Sequence, residues 1–234
     1  MKERRPEILY LHEINQVRPG RLHAFLDAIE HDYLAIAERL GIRMVGYWTV
    51  PPGHGSWPET VAVWELDGYE HHVDITRARL DPSRYDEGLR DWDASVGEWV
   101  TRSEGMVCLP SSMTPTVAQI KERGLKAKMC THELIHNEPG RQEEYLRIVE
   151  EFYFKRVASV AGRSIVGLYW SPWKNTRTVC IWGQGEEWDT VYPRGKQEHF
   201  KTDDESTMWK TLGLQLRKDW DDRWIVPTSF STVR

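Results

Sequence analysis

Two dipeptides raise the chemical question. His12-Glu13 and His132-Glu133 each stand a fixed five residues ahead of a Pro-Gly-Arg triplet, Pro19-Gly20-Arg21 and Pro139-Gly140-Arg141. A histidine titrates near neutral pH and can take or give a proton, so His12 and His132 are candidate general acids or bases. Glu13 and Glu133 are candidates for the same work. Their plainer role is to pair with Arg21 or Arg141, or to satisfy a backbone end. On a strand, successive side chains face opposite sides. His12 therefore shares a face with Tyr10 and Ile14, and His132 shares one with Cys130 and Leu134, while each glutamate points the other way. The structural alternative for the histidines is a backbone hydrogen bond at the strand end.

Other residues bear on the same question. His71 and His72 lie in a short helical stretch; with His12 and Glu13 they offer metal-type ligands, although no His-x-x-x-His spacing occurs. A solvated helix face is their simpler reading. The 12 tryptophans and 9 tyrosines are a surplus that either thickens a core or lines an aromatic cavity. Tyr10, Tyr47, Trp48, Trp64, Tyr169, Trp170 and Trp182 fall on strands, so about half should face helices and half the space between sheets. They are candidate substrate-binding residues, with close packing as the alternative. Trp57, Trp173 and Trp188 fall in loops, where an exposed indole can border a ligand site. Trp92, Trp99, Trp209, Trp220 and Trp224 sit on or near helical stripes and read as core or subunit contact, not chemistry. Cys108, Cys130 and Cys180 have no metal spacing and read as small buried hydrophobes.

The elements that hold these residues occur twice. After the His-Glu and Pro-Gly-Arg pair, Val45-Gly46 recurs as Val166-Gly167, and Thr60 to Trp64 as Thr178 to Trp182. The offset drifts only from about 120 to about 117 residues, which marks a tandem duplication. Within the first copy, Ile8 to Ile14 reads as a strand. Leu22, Phe25, Leu26, Ile29, Tyr33, Ile36 and Leu40 form a helical stripe that Gly41 stops. Arg43 to Val50 and Glu59 to Leu66 read as strands around the Pro51-to-Gly55 loop. Tyr69 to Arg79 and Tyr85 to Trp99 read as helical, and Met106 to Leu109 as a fourth strand. The order β-α-β-β-α-β is the ferredoxin-like motif. The fold class is thus α+β: two tandem ferredoxin-like modules whose antiparallel sheets cover each other as an intramolecular dimeric α/β-barrel. The modules span residues 1–110 and 127–234, joined by a linker at 111–126 whose only apolar patch is Val117 to Ile120.

Charge is spread along the chain, and the formal net charge of −5 offers no basic track for a nucleic acid. No apolar run reaches membrane-spanning length, and the start of the chain lacks a signal-peptide core, so the expected compartment is the cytoplasm. Phosphate loops, dinucleotide fingerprints and Gly-x-Ser-x-Gly elbows are absent from the sequence.

The run Gly41-Ile-Arg-Met-Val-Gly-Tyr-Trp48, following a strand, a Pro-Gly-Arg turn and an amphipathic helix and preceding a strand that ends Val63-Trp64-Glu65, resembles the NIPSNAP family of dimeric α/β-barrel proteins. The resemblance covers residues 7–110 well and residues 127–230 more loosely. It implies the ferredoxin-like fold and sheets paired as a barrel. Its superfamily includes cofactor-free monooxygenases, polyketide cyclases and haem proteins, so it implies no single chemistry. The expectation is a barrel that binds a small, aromatic or hydrophobic molecule, as a cofactor-independent oxygenase, cyclase or isomerase using a barrel histidine. A non-catalytic binding or scaffold protein is the alternative. The residues demand no cofactor and leave a metal or haem open, with His199 as the axial candidate. A homodimer of tandem chains is expected from the free sheet edges.

Overall fold

A computed structural model of the chain describes residues 8–154, 163–174, 176–185, 211–213 and 215–234. Strand β1, Leu9–Val17, leads through Pro19-Gly20 into a helical rod made of α1, Leu22–Ala28, a π-helical turn at Ile29–Tyr33, and α2, Leu34–Arg39. Gly41 stops the rod at φ +73°, a conformation that costs glycine little. Strands β2, Arg43–Val50, and β3, Glu59–Leu66, follow. Helices α3, Tyr69–Leu80, and α4, Glu87–Ser95, then lead into β4, Val100–Pro110. The last strand begins earlier than the apolar stretch Met106–Leu109 indicates, because its first half is polar and largely exposed and carries no apolar run.

The second half repeats this order. After helix α5, Val117–Arg123, come β5, Met129–Asn137, and α6, Gln142–Ile148, with its own π-helical turn at Val149–Tyr153. Strands β6, Arg163–Trp170, β7, Arg177–Gln184, and β8, Arg217–Pro227, complete it. All pairings are antiparallel, and the strands close into one barrel in the order β1-β3-β2-β8-β5-β7-β6-β4. Each half contributes a four-stranded ferredoxin-like sheet with its helices outside, as expected. The halves meet at two short edge contacts, Trp48↔Pro227 with Thr49↔Val226, and Leu109↔Trp170 with Pro110↔Tyr169.

A bulge beside each contact makes the join possible. The registers of β2 and β6 shift at Met44/Gly46 and Ile165/Gly167, leaving one extra residue in each strand. The ring of Trp48 then lies back over Gly46, and that of Tyr169 over Gly167. A Cβ would meet those rings at 2.2 Å and 2.1 Å, so only glycine fits. The backbone freed there is taken by the opposite half. Thr228 N–H and its hydroxyl donate to the Tyr47 carbonyl, and Tyr47 N–H donates to Ser231 Oγ. In mirror fashion Ser111 N–H and the Thr114 hydroxyl donate to the Leu168 carbonyl.

The barrel interior is packed. Tyr10, Val45, Trp48, Val61, Val63, Tyr169, Val179 and Ile181 form one cluster, with the Tyr10 and Tyr169 rings 4.9 Å apart. Helix α5 stoppers one end. The stretch read as a linker supplies Thr116 as N-cap, with a capping box to Gln119, and buries Val117 and Ile120 in the barrel cluster. Glu65 ties it down, accepting from Val117 N–H at 2.8 Å, Tyr10 hydroxyl at 2.9 Å and Arg43 Nε at 2.9 Å. At the other end Arg177 pairs with Glu104, and Arg223 with Glu59 and Asp221. Removing Glu65 strands the Val117 N–H and the Tyr10 hydroxyl in a buried site, while Arg43 keeps its pairing with Asp67. Glu65→Ala is expected to cost about 3 kcal/mol, read as a fall in the urea midpoint; an unchanged midpoint would show that α5 is held by apolar contacts alone.

Candidate functional site

Alternation along β1 separates the members of the His-Glu pair. His12 and His132 point into the barrel and meet at its centre, Nε2 to Nε2 at 2.8 Å, with rings 8° from parallel. Both are buried. A single proton lies between the facing nitrogens, so one ring donates and the other accepts, and both are neutral. Burial pushes the His12 pKa down to about 3, with Arg223 adding to the effect. His132 is likewise held well below its ordinary value, first by burial and then by His12. Beside His12 lies a cavity of about 10 Å³, lined by His12, Ile14, Glu104, Met106, Leu134 and Arg177. One water at most fits there.

The expected ligand space inside the barrel is corrected by this packing. Tyr10, Trp48 and Tyr169 face inward but fill the interior, and Trp170 lies half-buried at the end of β6, opposite Leu109. The histidines are thus a polar bond across the core. The grouping of His71 and His72 with His12 and Glu13 is corrected too, because His12 and Glu13 face opposite sides of the sheet. His71 is occupied on α3, with Nε2 at 2.7 Å from the Leu40 carbonyl and Nδ1 accepting from Asp67 N–H. His72 is half-buried beside it, and burial lowers its pKa. Trp220 and Trp224, expected on or near helical stripes, lie on strand β8 instead, and Trp220 is exposed. His199, Trp188 and Trp209 lie outside the described residues.

Open space exists on the helix side of the first sheet. A pocket of about 350 Å³ lies between β1, β3 and β4 and the helices α1 and α4. Glu13 stands at its floor, and Trp64 Nε1 donates to Glu13 Oε2 at 2.8 Å. Tyr33, Tyr47, Trp64 and Trp92 supply its aromatic wall, Tyr33 lying 5.3 Å from Trp64 and 5.0 Å from Trp92 by ring centroids. Arg79, paired with Asp93 at 2.8 Å, supplies a cation, and Asn15 and Ser103 supply neutral polar groups. Burial raises the Glu13 pKa; the Trp64 hydrogen bond and the Arg79 charge oppose it. Burial also raises Tyr33, and the Glu13 charge adds to that. A carboxyl with a raised pKa, an aromatic wall and a cation in one concavity of this size is an arrangement for binding a flat molecule and moving its proton.

Glu133 occupies the equivalent place in the second half without the same surroundings. It accepts from the Tyr153 hydroxyl at 3.4 Å and lies 3.6 Å from Arg217 Nη2, with Trp182 on the same helix-side face. Burial raises its pKa and the Asp222 carboxylate adds to this. The functional residues not singled out from sequence are Asn15, Tyr33, Arg79, Trp92 and Asp93. Tyr33 and Tyr153 carried a signal, since each follows its glutamate by twenty residues and ends a π-helical turn. Arg79 and Asp93 carried none, as exposed-looking charges on helices. A wider, open cleft of about 740 Å³ runs between α1, Trp57 and Phe230. It has no buried titratable group, so it is the weaker candidate for chemistry.

No protein-family model and no curated protein sequence matches the chain. Among solved structures, a candidate monooxygenase from Lactobacillus acidophilus is 13% identical and superposes with a TM-score of 0.63, covering 94% of each chain. An anthrone oxidase-like protein is 12% identical with a TM-score of 0.60, covering 97% of this chain and 94% of its own. A NIPSNAP-like domain protein from Burkholderia xenovorans is 18% identical with a TM-score of 0.41, covering 47% of this chain and 91% of its own. The fold is therefore that of the dimeric α/β-barrel proteins, here closed within one chain. No described helix is long and apolar enough to cross a membrane.

The histidine pair has a consequence for acid stability. Folding holds both rings neutral, whereas the unfolded chain protonates them near pH 6.5. Their contribution is thus full above that pH and lost as pH falls towards 3, at up to about 1.4 kcal/mol per pH unit for each ring. Urea titrations between pH 7 and pH 4 are expected to show a steeper fall for the native chain than for a His12→Asn/His132→Asn variant. Equal slopes would mean that the rings titrate normally in the fold.

Proposed function

We propose that the first-half pocket binds a flat, weakly acidic aromatic small molecule and that Glu13 takes a proton from it. The observation that supports this is the Glu13 carboxyl itself, set at the floor of a concavity and held by the Trp64 indole. In the reaction a substrate C–H or O–H bond breaks, its proton passes to a Glu13 carboxylate oxygen, and the electron pair remains on the substrate. The resulting anion is delocalised onto an oxygen that faces Arg79, whose charge stabilises it. The aromatic wall keeps the ring plane fixed. Cofactor-independent oxygenation, isomerisation and cyclisation all begin with such a step. The names of two proteins of like fold, the candidate monooxygenase and the anthrone oxidase-like protein, agree with an oxygenase. Proton transfer is therefore assigned to Glu13, and His12 and His132 serve as structural residues.

Anthrone, an enolisable fused-ring ketone, is a suitable probe. Under argon in D2O, the native chain is expected to accelerate exchange of its methylene protons, followed by proton NMR, and Glu13→Gln to lose about a hundredfold or more of that rate. Uptake of dioxygen in air then tells an oxygenase from an isomerase. Binding without exchange would make the chain a carrier, and exchange undiminished in Glu13→Gln would remove Glu13 from the chemistry.

The pH profile gives a second check. Glu13 must be ionised to accept a proton, so the rate should rise with pH through a pKa above that of ordinary glutamate. Trp64 stabilises the ionised form, so Trp64→Phe is expected to move this acid limb to higher pH. A limb that moves down or stays in place contradicts the assignment.

A further inference from the structure

We propose that Gly105, just beyond the lining residues of the Glu13 pocket, is its specificity-determining residue, the open rim over which the far end of an elongated flat ligand passes while its acidic group meets Glu13. This rests on the reading of that pocket as the ligand site. Gly105 on β4 is the direct cross-strand partner of Glu13, so the two positions share the helix-side face of the sheet. It is solvent-exposed, and a Cβ built there would meet nothing within 4 Å. Beside it on the same strand, Thr101, Arg102 and Ser103 are exposed and line the pocket, so the concavity opens to solvent along this part of β4.

The glycine is not required by the backbone. Its φ is not in the left-handed region, unlike those of Gly41 and Gly124, and no side chain lies back over it as Trp48 does over Gly46. A strand interior gains nothing from glycine in stability, so its consequence here is space. The second half makes the contrast. There the partner of Glu133 is Asp222, whose carboxylate raises the Glu133 pKa. One half thus sets an open rim beside its glutamate, and the other fills the same place with Asp222 and its neighbouring Arg217. The ligand class that fits is a weakly acidic flat molecule with a second ring, or an in-line substituent, projecting past its acidic group.

Isothermal titration at neutral pH with phenol, 2-naphthol and anthrone tests this on the full chain and on Gly105→Ala, Gly105→Val and Gly105→Leu. The native chain is expected to bind one molecule per chain and to prefer the longer probes. Affinity for 2-naphthol and anthrone should fall in the order Ala, Val, Leu, by about tenfold or more at Leu, while phenol changes by about twofold or less. The same ranking of probes in every variant overturns the role of Gly105 and leaves the pocket reading intact. If the native chain binds none of the three probes, the pocket reading fails and the proposal fails with it. A folding defect confined to Gly105→Leu leaves the Ala and Val variants to decide the same question.

Discussion

The architecture depends on closing two open sheets into one barrel through very short contacts. Each edge join is only two residue pairs long, Trp48 and Thr49 against β8, and Leu109 and Pro110 against β6. Such contacts hold because the strands around them are bulged at Gly46 and Gly167, and because the turn that follows each last strand docks on the backbone those bulges release. The bulge glycines and the Ser/Thr turns act as one device. Without a glycine at either bulge, the aromatic ring that lies over it would have nowhere to go.

Closure fixes where chemistry can occur. A bare apolar sheet face has to be covered, and here two such faces cover each other completely. The interior that results is filled by Tyr10, Trp48, Tyr169 and aliphatic residues, stoppered by α5 at one end and by two ion-pair clusters at the other. The histidine pair sits in this filled space. The rings share one proton and have little room around them, and their bond joins the two halves. The helix-covered outer face of the first sheet is different. Its helices rest on the sheet over part of its length, and the gap left between them holds Glu13, Trp64, Tyr33 and Arg79. The Glu13 carboxyl is held there at the boundary between packed protein and solvent, where burial raises its pKa.

The halves share one plan and differ in the details that matter for function. Glu13 and Glu133 stand at equivalent places, each with a tyrosine from a π-helical turn nearby and a tryptophan on the neighbouring strand. Around Glu133, Arg217 and Asp222 convert the environment into a network of charges. Around Glu13, Gly105 leaves space. One divergence of partner residue on the adjacent strand separates an open site from an ionic one.

Much of this was legible in the chain itself. Hydrophobic periodicity gave the bounds of β2 and β3 and the helical stripes, because a strand and a helix bury side chains at different periods. Repetition of His-Glu, Pro-Gly-Arg and Val-Gly at a nearly constant offset established two like modules, and strand alternation alone required His12 and Glu13 to part. What alternation could not say is which side is packed and which is open, since both faces of such a sheet are apolar. The helix at 117–123 read as a linker because a stopper needs only two apolar residues, Val117 and Ile120, and the rest of it faces solvent. Arg79 and Asp93 stood as charges on helical stretches, and Gly105 lay just outside the fourth strand that the apolar run Met106 to Leu109 marks. Their meaning comes from neighbours far away in sequence, and only the closed tertiary structure brings those neighbours within reach.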